Sequence, residues 1–274
     1  MNKQQSLHDI RFNVNRTGSN VISLENFIVV STIAIEIREF TLKSSYMKNY
    51  TTSTIAKELV SFCISNNKKF LFISGNGGSG KTELGKVIAE EARKHGQVNI
   101  LEMDDFVVDT QLRNNATATW VNSQGEKQTG RYTTSFAASY FLPSMKAILH
   151  TLEKGNEYHH WPKKATTAQE SILLYGNAVV TIVEGVGTVF LEKDKANSVS
   201  VFLECSKELE IGRRIGRARA DNEKTAEEVQ KNFEERNSQY EANVKPHMAD
   251  YDIVFESNED FSLKVVRDDL NILK

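Results

Sequence analysis

From residue 70 onward, short apolar runs alternate with stretches of helical spacing. The runs are Phe70-Leu71-Phe72-Ile73, Val98 to Met103, Val179 to Val183, Val199 to Leu203 and Tyr251 to Phe255. After the first run, Leu84, Val87, Ile88 and Ala92 recur at the spacing of one helix face, and Ile55, Leu59 and Phe62 do the same over residues 51–65. Buried strands separated by helices predict an α/β protein with a parallel sheet covered on both faces and ligand groups at the strand C-termini. Residues 107–131 carry no strand signal; they are polar, with Asn114-Asn115 and Gln124-Gly125, and are expected to form a substrate loop or lid. Upstream, residues 21–42 favour β structure, with Ile33, Ile35 and Ile37 alternating with Ala34, Glu36 and Arg38. The chain therefore divides into a small N-terminal β-rich appendage, residues 1–50, and a larger domain, residues 51–274.

Composition narrows the partners. With 34 basic and 36 acidic residues the net charge is −2, so no global charge favours nucleic acid or an acidic membrane. Cys63 and Cys205 sit in apolar segments without a C-x-x-C or metal-type neighbour and are expected to be reduced packing residues. The most apolar early run, residues 27–37, contains Ser31, Thr32 and Glu36 and is too short to span a bilayer. A soluble, cytoplasmic protein acting on a small molecule is expected, with self-association into a homo-oligomer left open.

The chemistry begins where the first core strand ends. Gly75-Asn76-Gly77-Gly78-Ser79-Gly80-Lys81-Thr82 is a complete G-x-x-x-x-G-K-T phosphate loop between a strand and a helix. Its glycines let successive backbone N–H groups turn toward phosphate oxygens; Lys81 brings a cation to the β and γ phosphates, and the Thr82 hydroxyl suits magnesium. After the second strand come Asp104 and Asp105. Asp104 is the candidate base for an attacking hydroxyl, and Asp105 is expected to cap the next segment. The third strand ends in Val183-Glu184-Gly185, where Glu184 suits magnesium and Gly185 would leave room beside the phosphates. Ser206 can cap a helix whose far end carries Arg213, Arg214, Arg217 and Arg219. Spacings of three and four put Arg213, Arg214 and Arg217 on one face as a fork for phosphate oxygens.

These motifs, in this order over residues 70–257, resemble the uridine kinase branch of the P-loop kinases, related to phosphoribulokinase and bacterial pantothenate kinase. Asp104 and Phe106 match its Asp-x-Phe, Val183-Glu184-Gly185 its Phe-Glu-Gly, Arg213-Arg214-Ile215-Gly216-Arg217 its arginine lid, and Val244-Lys245-Pro246 with Ala249-Asp250 its final segments. The resemblance implies a P-loop NTPase fold with a five-stranded parallel sheet, ATP or GTP with Mg2+, and transfer of the γ-phosphoryl group to a small hydroxylated acceptor. On that reading Asp104, Lys81 and Arg217 are catalytic, Arg213 and Arg214 hold nucleotide, and Thr82 and Glu184 hold the metal. Uridine kinases carry Asp-His-Pro-Asp-Ala-Phe-Asp to hold the nucleoside, whereas the comparable place here reads Arg131-Tyr132-Thr133-Thr134-Ser135-Phe136-Ala137. A pyrimidine nucleoside is therefore not the expected acceptor. Tyr132, Thr133, Thr134, Tyr158, His160 and Trp161 are expected to line the pocket, their rings and hydroxyls favouring a neutral polyol. The alternatives are a kinase for another metabolite or an antibiotic, and a nucleotide-dependent regulator or switch with no small-molecule acceptor.

Overall fold

A computed structural model describes residues 49–221 and 225–273. The expected β-rich appendage of residues 1–50 lies outside them, apart from the two-residue strand β1, Asn49–Tyr50. Helix α1, Thr52–Ser65, is capped by Thr51, whose side chain accepts the Thr54 N–H. Strand β2, Phe70–Gly75, then leads through the phosphate loop into α2, Lys81–Ala92, and β3, Val98–Glu102. A short helix α3, Thr110–Asn115, precedes a hairpin of β4, Thr117–Val121, and β5, Lys127–Arg131. Helix α4, Leu142–Glu153, is followed by a second hairpin of β6, Tyr158–His160, and β7, Ile172–Leu174. The chain ends with β8, Val180–Glu184; β9, Ser198–Glu204; α5, Lys207–Asp221; α6, Ala226–Asn243; β10, Ile253–Ser257; and β11, Leu263–Asp268.

The main sheet has the order β1-β11-β10-β9-β2-β8-β3. Its five strands from β10 to β3 are parallel, as expected, and β11 and β1 extend one edge in antiparallel pairing. Every residue of β2 and β8 is buried, which is why these segments read as continuous apolar runs and not as alternating ones. Ile55, Leu59, Leu84 and Ile88 from α1 and α2 pack with Leu71, Ile73, Val199 and Phe255 in one core. Phe72, Leu101, Met145, Ile148 and Leu152 form a second, which brings in α4, and Phe202, Tyr240, Val244 and Tyr251 a third, reached by α6.

The interval 107–131 is not the strandless loop its polarity suggests. Ala118 and Trp120 are buried between exposed Thr117, Thr119 and Val121, a period-two pattern in which threonines supply the polar face. The hairpin docks on α6: Trp120 donates its indole N–H to Ser238 Oγ at 2.9 Å, and Arg131 reaches Glu235 at 2.8 Å and Asn232 at 2.6 Å.

Gly75 closes β2 at φ +137°, and a Cβ there would stand 1.7 Å from the Leu203 carbonyl oxygen of β9. Side-chain-free packing of one strand on the next is what this position requires. Gly75→Ala should therefore destabilise the domain by more than the roughly 1–3 kcal/mol of an unfavourable backbone region alone. A thermal unfolding midpoint unchanged from the wild type would contradict this.

Candidate functional site

The ends of β2, β3, β8 and β9 converge on the phosphate loop. Lys81, the first residue of α2, is buried and its Nζ donates to the Asn76 carbonyl at 2.6 Å. Burial lowers its pKa, opposed chiefly by Glu184. Thr82 Oγ1 donates to Glu184 Oε1 at 3.0 Å, so the two residues assigned to the metal meet. Burial raises the Glu184 carboxyl above its ordinary range, with Lys81 and the Thr82 hydrogen bond acting the other way. No group of three or more His, Cys, Asp or Glu able to hold a metal occurs among the described residues. A hydroxyl and one carboxylate fit a magnesium ion that takes its remaining ligands from nucleotide phosphates and water.

Asn76 ties the loop to the next strand and helix. Its Nδ2 donates to the Cys205 carbonyl at 3.1 Å and to Glu210 Oε2 at 2.7 Å, and its Oδ1 accepts the Cys205 N–H. Glu210 in turn pairs with Arg214 at 2.6 Å. Ser206 caps α5 as expected, its Oγ accepting the Leu209 N–H.

The arginines of α5 do not form one fork. Arg213 turns toward the loop and the last hairpin, donating to the Gly78 carbonyl at 2.7 Å and to Ser257 Oγ at 3.0 Å, and stacks on Phe261. Arg214 and Arg217 face a separate cavity of about 450 Å³ that is also lined by Arg113, Arg131 and Arg236. A smaller cavity shares Thr133, Arg214 and Arg236 with it and reaches Gly77 of the phosphate loop, so the two spaces adjoin.

Asp104 is exposed just beyond β3 and lines neither cavity, though its charge acts on Lys81 and Glu184 and on Arg113 and Tyr140. Asp105 is not a cap. Its carboxylate accepts the Lys163 N–H and lies 3.0 Å from His160 Nε2, whose ring stacks on Phe106 at 5.3 Å. Burial raises the Asp105 pKa, but the hydrogen bonds from His160 and Lys163 prevail and hold it below its ordinary value. The residue that caps α3 is Asp109, which accepts the Gln111 N–H. Gly185, at φ +135°, allows the close approach of Met103, whose Cβ would lie 2.7 Å from an added methyl.

The expected acceptor residues separate into two groups. Tyr132 and Thr133 line the arginine cavity and Thr134 lines the adjoining one. The Thr133 hydroxyl donates to Gln239 Oε1 at 2.6 Å, and the Thr134 carbonyl accepts the Tyr140 O–H at 2.8 Å, so both also anchor the wall. Tyr158, His160 and Trp161 line neither space; His160 is occupied with Asp105, while Tyr158 and Trp161 are exposed on the second hairpin. Conversely, Arg113, Arg131, Glu210 and Arg236 were not expected. Only convergence of distant segments brings them together.

A phosphate loop opening a helix, an acidic strand end bonded to its threonine, and an arginine-lined cavity beside them define a P-loop phosphotransferase. The model of the Phosphoribulokinase / Uridine kinase family matches residues 70–263, and the chain belongs to that family. It is thus a small-molecule kinase that uses a nucleotide. D-glycerate 3-kinase from Cryptococcus neoformans var. grubii is similar in fold, at 12% identity and a TM-score of 0.51 over 76% of this chain and 97% of the other. Phosphoribulokinase from Rhodobacter spheroides matches at 13% identity and a TM-score of 0.48 over 70% of each chain. A possible uridine kinase from Bacillus stearothermophilus matches at 14% and 0.38 over 71% of this chain and 96% of the other. No curated protein matches the sequence. No helix among the described residues is long and apolar enough to cross a membrane.

Proposed function

We propose that the protein transfers the γ-phosphoryl group of ATP or GTP to a hydroxyl of a small acceptor seated in the arginine-lined cavity. What supports this is the adjacency of the arginine-lined cavity to the space that reaches Gly77 of the phosphate loop, with Asp104 at the end of β3 adding a weak electrostatic influence on both Lys81 and Arg113. On this reading Asp104 orients an acceptor hydroxyl and takes its proton as the oxygen attacks phosphorus. Lys81 holds the β and γ phosphates, and Arg217 stabilises charge on the transferring group. Thr82 and Glu184 would hold magnesium, which when bound neutralises phosphate charge. Because transfer through loosely bonded phosphorus asks little covalent chemistry of the protein, positioning and charge account for most of the rate.

The test is transfer of label from γ-³²P-ATP across nucleosides, vitamins, sugars, hydroxy acids and aminoglycosides. Hydrolysis alone at the same rate with every compound would reject the acceptor reading. Uridine and cytidine should be poor substrates, since the usual nucleoside-holding residues are missing.

The metal assignment has its own pH signature. Only the carboxylate form of Glu184 would hold the cation, and its pKa is raised by burial, so protonation sets in at a higher pH than for an exposed glutamate. The magnesium concentration for half-maximal activity should rise as pH falls from 7 toward 5, and Glu184→Gln should raise it at pH 7 and flatten the dependence. A variant with the wild-type magnesium curve would remove Glu184 from the metal site.

A further inference from the structure

The cavity beside the phosphate loop is far more positive than transfer to a neutral alcohol requires. Its lining contains five arginines, Arg113, Arg131, Arg214, Arg217 and Arg236, and no aspartate or glutamate. Two of the five have carboxylate partners just outside it, Arg131 with Glu235 and Arg214 with Glu210. Arg113, Arg217 and Arg236 form no direct ion pair with a carboxylate of the described residues, Asp109 and Asp104 acting on Arg113 and Glu235 on Arg236 only at longer range. Arg113 is fixed by hydrogen bonds to the Val108 carbonyl at 2.9 Å, the Tyr132 carbonyl at 3.3 Å and Thr110 Oγ1 at 3.2 Å, which aim its guanidinium without neutralising it. Arg236 is half-buried on α6 and makes no hydrogen bond to the described residues. Burial and the nearby Arg214, Arg131 and Arg113 lower its pKa to about 10, so it remains charged at neutral pH.

Like charges collected in a partly desolvated space repel and destabilise the fold unless an anion offsets them. Arg217, on the exposed end of α5, is the arginine assigned to the transferring phosphoryl group. That leaves Arg113 and Arg236 with no role in nucleotide binding, on segments joined through Arg131, Glu235 and the Thr133–Gln239 bond. Guanidinium groups recognise carboxylate and phosphate oxygens through paired N–H donors and have no comparable preference for a neutral hydroxyl.

We infer that the acceptor is an anion: a small hydroxylated molecule bearing a carboxylate or phosphate group held by Arg113 and Arg236, with its free hydroxyl directed through the adjoining space toward Gly77 of the phosphate loop. This rests on the kinase reading of the same site and replaces the neutral polyol that hydroxyl and aromatic residues alone suggested. Tyr132 and Asn114, also in the lining, can meet the acceptor's uncharged part.

The experiment has a binding arm that does not depend on turnover. The full chain saturated with ADP and magnesium is titrated with inorganic phosphate and with acetate, against chloride at equal ionic strength, and the unfolding midpoint is followed. At least one of the two anions should raise the midpoint, and Arg236→Met should abolish the rise while ADP affinity stays within about twofold, a change too small to report loss of a charged hydrogen bond. If neither anion outperforms chloride, or if Arg236→Met leaves the rise intact, the inference is wrong. The second arm compares ribose, ribonate and ribose 5-phosphate as acceptors and tells carboxylate from phosphate. Transfer to either anion with little to ribose is expected, and Arg236→Met should raise that acceptor's KM about tenfold or more while Arg236→Lys restores part of it. Preference for ribose would overturn the anionic acceptor and leave the kinase standing, whereas anion binding without ADP binding would overturn the kinase reading and leave the anion site.

Discussion

Replacing Lys81 with Ala is expected to reduce phosphoryl transfer a hundredfold or more, with the fold retained. The ammonium group is buried yet bonded only to the Asn76 carbonyl of its own loop, and it lies at the start of α2, away from the apolar contacts that Leu84 and Ile88 make with the sheet. Its loss therefore leaves the core intact. What it removes is a fixed cation aimed at developing charge, and one such donor in a dry site is typically worth about 3–4 kcal/mol in the transition state. Burial lowers the lysine's pKa, so the site carries the electrostatic cost of that cation even before phosphate arrives. Steady-state kinetics at saturating ATP, with circular dichroism as the control on folding, decide the matter. Normal turnover would sink the phosphate-loop assignment.

Asp104→Asn should be nearly as damaging to the rate and should leave nucleotide affinity almost unchanged. The amide copies the shape of the carboxylate but does not take a proton, and general base catalysis contributes roughly a hundredfold to ten-thousandfold. Because Asp104 is exposed and outside the loop, the substitution disturbs no packing. A drop in kcat with an unchanged dissociation constant for ATP is the expected split. The reverse pattern, weak ATP binding with a normal maximal rate, would exchange the roles of Asp104 and Glu184.

What the sequence disclosed was local. The phosphate loop, Glu184 and Asp104 each stand at or just past the end of a core strand, so one segment of chain carries both the structural signal and the chemistry. Helix α1 was equally plain because Ile55 and Leu59 face the same core and Thr51 caps it. The arginine-lined cavity was hidden because its walls come from α3, β5, α5 and α6, and the bond from Arg131 to Glu235 spans 104 positions. No spacing rule reaches that far. The hairpin β4–β5 was masked because Thr117 and Thr119 on its solvent face are themselves strand formers of weak polarity, and the buried positions between them are only Ala118 and Trp120. His160 misled for the opposite reason: a histidine beside aromatic residues suggests a ligand contact, yet its ring is used to fix Asp105, the neighbour of the proposed base. Arg213 likewise has a local explanation only after folding, when the Gly78 carbonyl and Phe261 lie within its reach.

The docking of β4–β5 on α6 bears on how such an enzyme diversifies. The hairpin is fastened to one helix by Trp120–Ser238, Arg131–Glu235 and Thr133–Gln239, while the strands that carry the phosphate loop and Glu184 lie in a different sheet. On the proposed function, donor chemistry and acceptor choice are carried by separate parts of the chain. An altered hairpin, if accompanied by matching changes on one face of α6, would present a new molecule to an unaltered phosphorylating apparatus. Laboratory evolution aimed at new acceptors should accordingly accumulate its paired substitutions across that single seam.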